Sequence, residues 1–315
     1  MHNFVHTDDI LDLSQCLVGI DDLVNNPEEY AQLGKGKTIG MFFFNPSLRT
    51  RLSTQKAAQE LGLNTLIMNF SNDGWQLEFE DGSIMNGSTA EHIKEAAQVM
   101  SIYCDIIAIR AFPKLKDKVE DYAEQVLNSF ISYASVPVVN LESATAHPLQ
   151  ALADFITIEQ LKTKKNPKVV LTWAPHPKAL PQAVSNSFIS LLKRAKVELV
   201  VTHPEGYDLD SDVVEGVKVS YDQLDAFKEA DFIYVKNWSS VEDYGQVLPV
   251  DVDWMVDGVK MALTNKAKLM HCLPVRRNVV ISDSVLDSDQ SAVMDQVKNR
   301  VLSAKWVLKK MLSHG

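Results

Sequence analysis

The chain has 315 residues, 46% hydrophobic and 23% charged, which is the balance of a soluble globular protein with room for two ordinary domains. A formal charge of −10 argues against a broad phosphate-backbone footprint, so nucleic acid is not the expected partner. Apolar runs such as residues 39–44 are far too short to span a bilayer, and the start, Met1-His2-Asn3-Phe4, reaches Asp8 and Asp9 with no basic segment or apolar block, so neither a membrane span nor a secretory signal is read.

In chain order, residues 37–45, 64–70, 104–112 and 136–142 read as buried strands rich in Ile, Val, Phe and Met. Between them, 47–61, 91–103 and 120–133 carry apolar residues at helical spacing. A long helical pattern over 147–162 links to a second set of strands at 168–175, 197–204, 231–238 and 267–274, with helices near 181–195 and 221–230. Residues 291–312 read as a terminal helix.

Such alternation implies parallel sheets covered on both faces: an α/β protein of two doubly wound parallel-sheet domains joined by helices. Counting strands places the boundary near residue 145, giving domains 1–145 and 146–290, with the segment 291–315 expected to pack back on the first. Cys16, Cys104 and Cys272 are an odd number at wide spacing, which makes neither a disulfide framework nor a metal cluster and fits a reducing cytoplasm. No G-x-G-x-x-G follows any of these strands, which counts against a dinucleotide-dependent oxidoreductase on a similar fold.

The first strand runs into Asn45-Pro46-Ser47-Leu48-Arg49-Thr50-Arg51 and then a helix. A helix N-terminus at the carboxyl edge of a sheet presents backbone N–H groups to an anion, and its dipole favours negative charge. Ser47 and Thr50 add hydroxyl donors, and Arg49 adds a planar fork suited to phosphate oxygens. The alternative is that Ser47 caps the helix while the arginines are solvated.

This Ser-x-Arg-Thr-Arg element resembles the carbamoyl-phosphate signature of the aspartate and ornithine carbamoyltransferase superfamily. His147-Pro148-Leu149-Gln150 resembles the family's H-P-x-Q element and His271-Cys272-Leu273-Pro274 its H-C-L-P element, in the same chain order. H-C-L-P belongs to the ornithine-type branch. The Asp-x-x-x-Ser-Met-Gly loop that holds the free α-amino group in ordinary ornithine enzymes has no counterpart, and Trp173-Ala174-Pro175-His176-Pro177 followed by Leu180-Pro181-Gln182 resembles the branch acting on N-acetylornithine or N-succinylornithine. An acylated α-nitrogen carries no charge, so an anionic partner for it would be buried unpaired.

Within that branch, a position just before a Glu-His pair resembles the acyl-group discriminator. Glutamate there goes with the acetyl substrate, a small residue or proline with the succinyl one. Ala90 precedes Glu91-His92, so the resemblance favours N-succinylornithine. The alternative is that Ala90 is simply an early-helix alanine.

The resemblance implies that carbamoyl phosphate meets Ser47, Leu48, Arg49, Thr50, Arg110, His147, Gln150, Cys272, Leu273 and Arg300. Trp75, inserted into the site by a neighbouring subunit of a homotrimer, would join the carbamoyl phosphate contacts, and Glu142, His176, Lys236 and Arg276 would contact the acyl-ornithine. Arg110, His147, Thr50 and Cys272 form the catalytic group, with Cys272 positioning substrate rather than attacking it. No metal and no organic cofactor are expected. Bland alternatives stand beside these: Arg110 could start a loop, Lys236 and Arg276 could pair with surface acids, His147 could be a cap, Cys272 a small core residue, Trp75 a loop anchor, and Arg300 a solvated helix charge. A non-catalytic paralogue is the remaining rival.

The chemistry fits. A lysine-like amine with a pKa near 10.4 costs roughly 4–5 kcal/mol to neutralise at pH 7. Alignment of amine and carbonyl recovers about 7–11 kcal/mol, so orientation outweighs deprotonation.

Overall fold

Strand β1, Thr38–Phe43, is Thr-Ile-Gly-Met-Phe-Phe, and all but its first residue are buried because parallel strands are covered on both faces. The computed structural model describes residues 1–313 and divides them into two compact units. One comprises Met1–Lys114, Val119–Leu149 and the chain from Arg300; the other comprises Leu115–Lys118 and Gln150–Asn299.

The first unit opens with helix α1, Leu13–Asn25, whose N-cap Asp12 accepts from the Ser14 and Gln15 N–H groups. Helix α2, Arg49–Glu60, follows β1; strand β2 is Asn64–Asn69, helix α3 is Ile93–Tyr103, strand β3 is Ile106–Arg110, helix α4 is Gln125–Tyr133 and strand β4 is Val138–Glu142. The four strands lie parallel in the order β2-β1-β3-β4. Phe42, Ile107, Ile109, Phe130 and Val138 form a core with Ile93 and Ala97 of α3. Each such large side chain contributes about 1.5–3 kcal/mol by burial.

Two predicted helices differ in outline. The 120–133 pattern breaks into Lys118–Tyr122 and α4, because Glu124 between them adopts a left-handed φ of 46°. That geometry carries its carboxylate to the Thr145 N–H and hydroxyl, both at 2.8 Å. The 91–103 pattern starts at Ile93 instead: His92 is the N-cap, its Nδ1 accepting from the Lys94 N–H at 3.2 Å. Glu91 and His92 pair with Leu77 and Glu78 in a small parallel ladder, and the Ala90 N–H donates to the Gln76 carbonyl. Ala90 therefore lies exposed just before that ladder and outside the helix, and the early-helix explanation for it fails.

Helix α5, Pro148–Leu161, leaves the first unit after Leu149 and continues in the second. The second unit contains β5, Lys168–Trp173; helix α6, Ala183–Leu192; β6, Glu198–Thr202; β7, Lys218–Ser220; β8, Phe232–Lys236; and β9, Lys268–Met270. These strands are parallel in the order β9-β8-β5-β6-β7. Val170, Val200, Ile233, Val235, Leu269 and Ile281 form its core. The three-residue edge strand β7 carries no run long enough to read from sequence. The final helix α7, Val293–Leu312, begins in the second unit and returns to the first at Arg300; residues 314 and 315 of the predicted terminal segment lie outside the described residues. Among the described residues, no helix is long and apolar enough to cross a membrane.

Leu115–Lys118 groups with the second unit, where Gly245 meets Leu115. Gly245 has φ +76°, and an added Cβ would sit 2.0 Å from the Leu115 carbonyl oxygen. Gly245→Ala should destabilise by about 2–5 kcal/mol, the sum of left-handed strain and overpacking, visible as a lowered thermal midpoint.

Candidate active site

In both sheets the strand order reverses beside the first strand laid down: between β1 and β3 in one unit, between β5 and β8 in the other. Ligands of open α/β sheets bind outside the carboxyl ends of strands at such switch points. Of the predicted site residues, residues 47–50, Arg110, His176 and Lys236 lie at or just past the ends of these switch-point strands, whereas Trp75, Ala90, Gln150 and Arg300 do not.

In the first unit, β1 hands over to α2 through residues 44–48. The helix N-cap is Leu48, exposed and without any capping side-chain bond, so Ser47 is not the cap. Arg110 is the last residue of β3 and is buried. Its Nη1 donates to the Asn45 and Pro46 carbonyls at 3.1 and 2.9 Å, and its Nε and Nη2 donate to Glu142 Oε2 at 3.1 and 2.9 Å. The bulge between β3 and β4 makes this possible. Ile109 stands opposite Asn140 but Arg110 opposite Glu142, so one extra residue re-aims the carboxylate at the guanidinium.

Beyond Glu142 the chain turns. Asn140 Nδ2 donates to the Ser143 hydroxyl at 2.9 Å, and Ser143 N–H to the Ala146 carbonyl at 2.9 Å. That turn delivers His147, buried, with Nε2 3.7 Å from Glu142 Oε2. Arg300 is buried on α7, not a solvated helix charge, and its Nη2 donates to Thr50 Oγ1 on the first turn of α2 at 2.8 Å. Burial alone would raise the Glu142 carboxyl, but His147, Arg110 and Arg300 pull it below the ordinary carboxylate range. Two arginines and an imidazole around one carboxylate form a site with positive charge to spare, in an acidic protein.

Trp75 is exposed, its indole N–H donating to Glu91 Oε2 at 2.9 Å. Trp75 and Ala90 thus share one element, the edge of the small parallel ladder.

In the second unit, His176 follows β5 and Lys236 ends β8. The Asn237 side chain donates to the Ala174 carbonyl at 2.7 Å, and buried Lys236 donates its Nζ to the Asn237 carbonyl at 2.7 Å. Arg276 Nε donates to His176 Nε2 at 3.1 Å, and His176 Nδ1 packs against the Lys178 backbone, 2.7 Å from its carbonyl and accepting from its N–H at 3.1 Å. Burial first, then the nearby Arg276, Lys236 and Lys178 charges, hold the His176 pKa below its usual value, although the Lys178 carbonyl works the other way. The imidazole is neutral at pH 7 and accepts from Arg276.

Leu273, in the H-C-L-P turn, has φ 52°, uncommon for a branched residue, with its N–H held by His271 Nδ1 at 2.9 Å. Cys272 is half-buried. Gln150, the first residue of this unit, is buried and donates to Asp154 Oδ1 at 2.7 Å. Sequence reasoning passed over Asp154, and it took Gln182 only as part of the branch element, without the role the structure gives it: its Nε2 ties the 174–182 segment to the Ser239 carbonyl at 2.7 Å. The helical spacing Gln150, Asp154 was the available signal for the first. Among the described residues, no group of three or more His, Cys, Asp or Glu is placed to hold a metal ion.

Residues 4–160 match the aspartate/ornithine carbamoyltransferase carbamoyl-P binding domain, and residues 180–311 match the Asp/Orn binding domain of the same description. The chain belongs to the aspartate/ornithine carbamoyltransferase family. Within the family it is similar to the N-succinylornithine carbamoyltransferase of Bacteroides thetaiotaomicron, 49% identical over 99% of both chains. It is 38% identical to the N-acetylornithine carbamoyltransferase of Xanthomonas axonopodis pv. citri, over 89% of this chain and 88% of that one. Among solved structures it resembles a glutamate-to-serine mutant of N-acetyl-L-ornithine transcarbamylase complexed with carbamyl phosphate and N-succinyl-L-norvaline, with a TM-score of 0.91 and 36% identity, covering 99% and 100% of the two chains. These carbamoyltransferase relatives leave nothing to support the oxidoreductase rival.

Proposed function

We propose that this carbamoyltransferase transfers the carbamoyl group of carbamoyl phosphate to the δ-amine of N-succinyl-L-ornithine, releasing N-succinyl-L-citrulline and phosphate in cytoplasmic arginine biosynthesis. The amine lone pair forms the new C–N bond, the C–O bond to phosphate breaks, and the departing phosphate takes the amine proton. The first unit grips carbamoyl phosphate with the start of α2 and with Arg110, His147 and Arg300, and the second holds the acceptor. Arg110, His147 and Thr50 donate to the carbonyl oxygen as it becomes anionic, the kind of stabilisation that gains most where donors are already oriented.

The observation that carries the acyl choice is Ala90. It is small, uncharged and exposed, hydrogen-bonded to the Gln76 carbonyl next to Trp75, and a glutamate there would repel the succinyl carboxylate. A like charge about 4 Å away costs on the order of 1–4 kcal/mol between the dielectric limits of water and protein surface. Lys236 and Arg276 suit the two carboxylates of that acceptor, and residues 174–182 contain no Asp or Glu for a free ammonium. The exposed indole of Trp75 supports a homotrimer in which one subunit completes its neighbour's site, carrying Ala90 with it.

The test is a ureido-product assay with carbamoyl phosphate and ornithine, N-acetylornithine or N-succinylornithine. N-Succinylornithine should show the highest kcat/KM, and Ala90→Glu should move preference toward N-acetylornithine by about tenfold or more. A preference for free ornithine would overturn the acyl-ornithine branch, and a preference for the acetyl compound the succinyl choice.

A further inference from the structure

Gln150 and Gln296 converge on one buried carboxylate. Asp154 lies one helical turn after Gln150 on α5, fully buried, and its Oδ1 accepts from Gln150 Nε2 and from Gln296 Nε2, each at 2.7 Å. A carboxylate accepts and does not donate, so it selects the NH₂ end of any amide that faces it and turns the oxygen end outward. Gln296 displays the consequence: with its nitrogen on Asp154, its Oε1 receives the His271 N–H at 2.8 Å. One carboxylate therefore links the glutamine of the H-P-x-Q element to the backbone that starts the H-C-L-P turn, all within the second unit. Tyr234, also buried, has its hydroxyl pushed well above the ordinary range by burial first and then by Asp154 and Cys272.

We propose that Asp154 is a positioning residue that fixes the amide polarity of Gln150, so that Gln150 Oε1 is presented as an acceptor to the NH₂ of carbamoyl phosphate, while Gln296 holds the His271–Leu273 turn in register. This rests on the carbamoyl-transfer reading above. Asparagine at 154 keeps the shape but offers an amide that either donates or accepts, so Gln150 loses its enforced orientation.

Two ligands separate this role from a general effect on folding. Carbamoyl phosphate has an NH₂ where acetyl phosphate has a methyl group, and the two share the phosphate. In Asp154→Asn, the KM for carbamoyl phosphate should rise at least tenfold, while inhibition by acetyl phosphate and the KM for N-succinylornithine stay within twofold of wild type. Equal weakening of both phosphates would reduce Asp154 to a structural residue, and unchanged kinetics would overturn the proposal outright. If Asp154→Asn does not fold, the smaller Asp154→Ser is measured in its place and read by the same ratio. A wild-type chain without carbamoyl transfer would be a failure of the function, not of this positioning role.

Discussion

Replacing Arg110 with leucine is expected to lower kcat/KM for carbamoyl phosphate by roughly 10²–10³-fold, the cost of losing a donor oriented toward an oxyanion. Arg110 ends β3 beside the switch point of its sheet and is held in place by Glu142 and by the Asn45 and Pro46 carbonyls. Leucine removes the fork and leaves Glu142 buried with one cation fewer, which also costs about 3–5 kcal/mol of stability. The KM for N-succinylornithine should change little, because His176, Lys236 and Arg276 belong to the other unit. Arg110→Lys should recover part of the loss, since it restores the charge but not the planar geometry. Steady-state kinetics beside thermal denaturation separates the two effects; an Arg110→Leu enzyme that turns over at the wild-type rate would remove Arg110 from the mechanism.

Much of this arrangement was legible in the linear chain, for a physical reason. Buried parallel strands must be nearly continuous apolar runs, so eight of the nine strands in the two main sheets announced themselves; Arg110, Glu142 and Lys236, assigned by resemblance, stand at the ends of three of them. Elements with little to bury were the ones overlooked. β7 is a three-residue edge, and the ladder of Leu77–Glu78 with Glu91–His92 has two residues a side. Helix α1 carries a sequence signal of its own, Asp12 as its N-cap.

At the site, sequence order identified the groups but not their pairings. Arg300 is assigned to carbamoyl phosphate by resemblance alone, since its helix position would suit a solvated charge equally well; only the return of α7 sets it against Thr50, 250 residues away. Glu142 was expected among the acceptor contacts, yet its carboxylate lies with Arg110 and His147, because a bulge at Ile109/Arg110 shifts the register by one residue. No periodicity encodes such a shift. Asp154 was invisible for a related reason: a buried acid on an apolar helix has meaning only once its two amide donors are known.

Glu142→Gln tests the electrostatic centre of the first unit. Its carboxyl is held below the usual range in the folded chain, where burial is outweighed by the His147, Arg110 and Arg300 side chains. The unfolded chain releases this proton near pH 4.3, so the stabilisation is fully present above that value and disappears as pH falls through the lower folded one. Glutamine keeps an acceptor oxygen for Arg110 but removes the charge that balances the cations, and breaking a buried pair of this kind costs about 3–5 kcal/mol at pH 7. The variant should therefore melt lower at neutral pH and lose less additional stability than wild type on acidification. Kinetics then discriminates between the two placements of this residue. If Glu142 orients Arg110 and His147, the KM for carbamoyl phosphate rises; if it contacts the acceptor instead, the KM for N-succinylornithine rises alone. A variant with wild-type melting at pH 7 and the same acid-dependent loss would mean that the Arg110–Glu142 pair contributes nothing to holding the site.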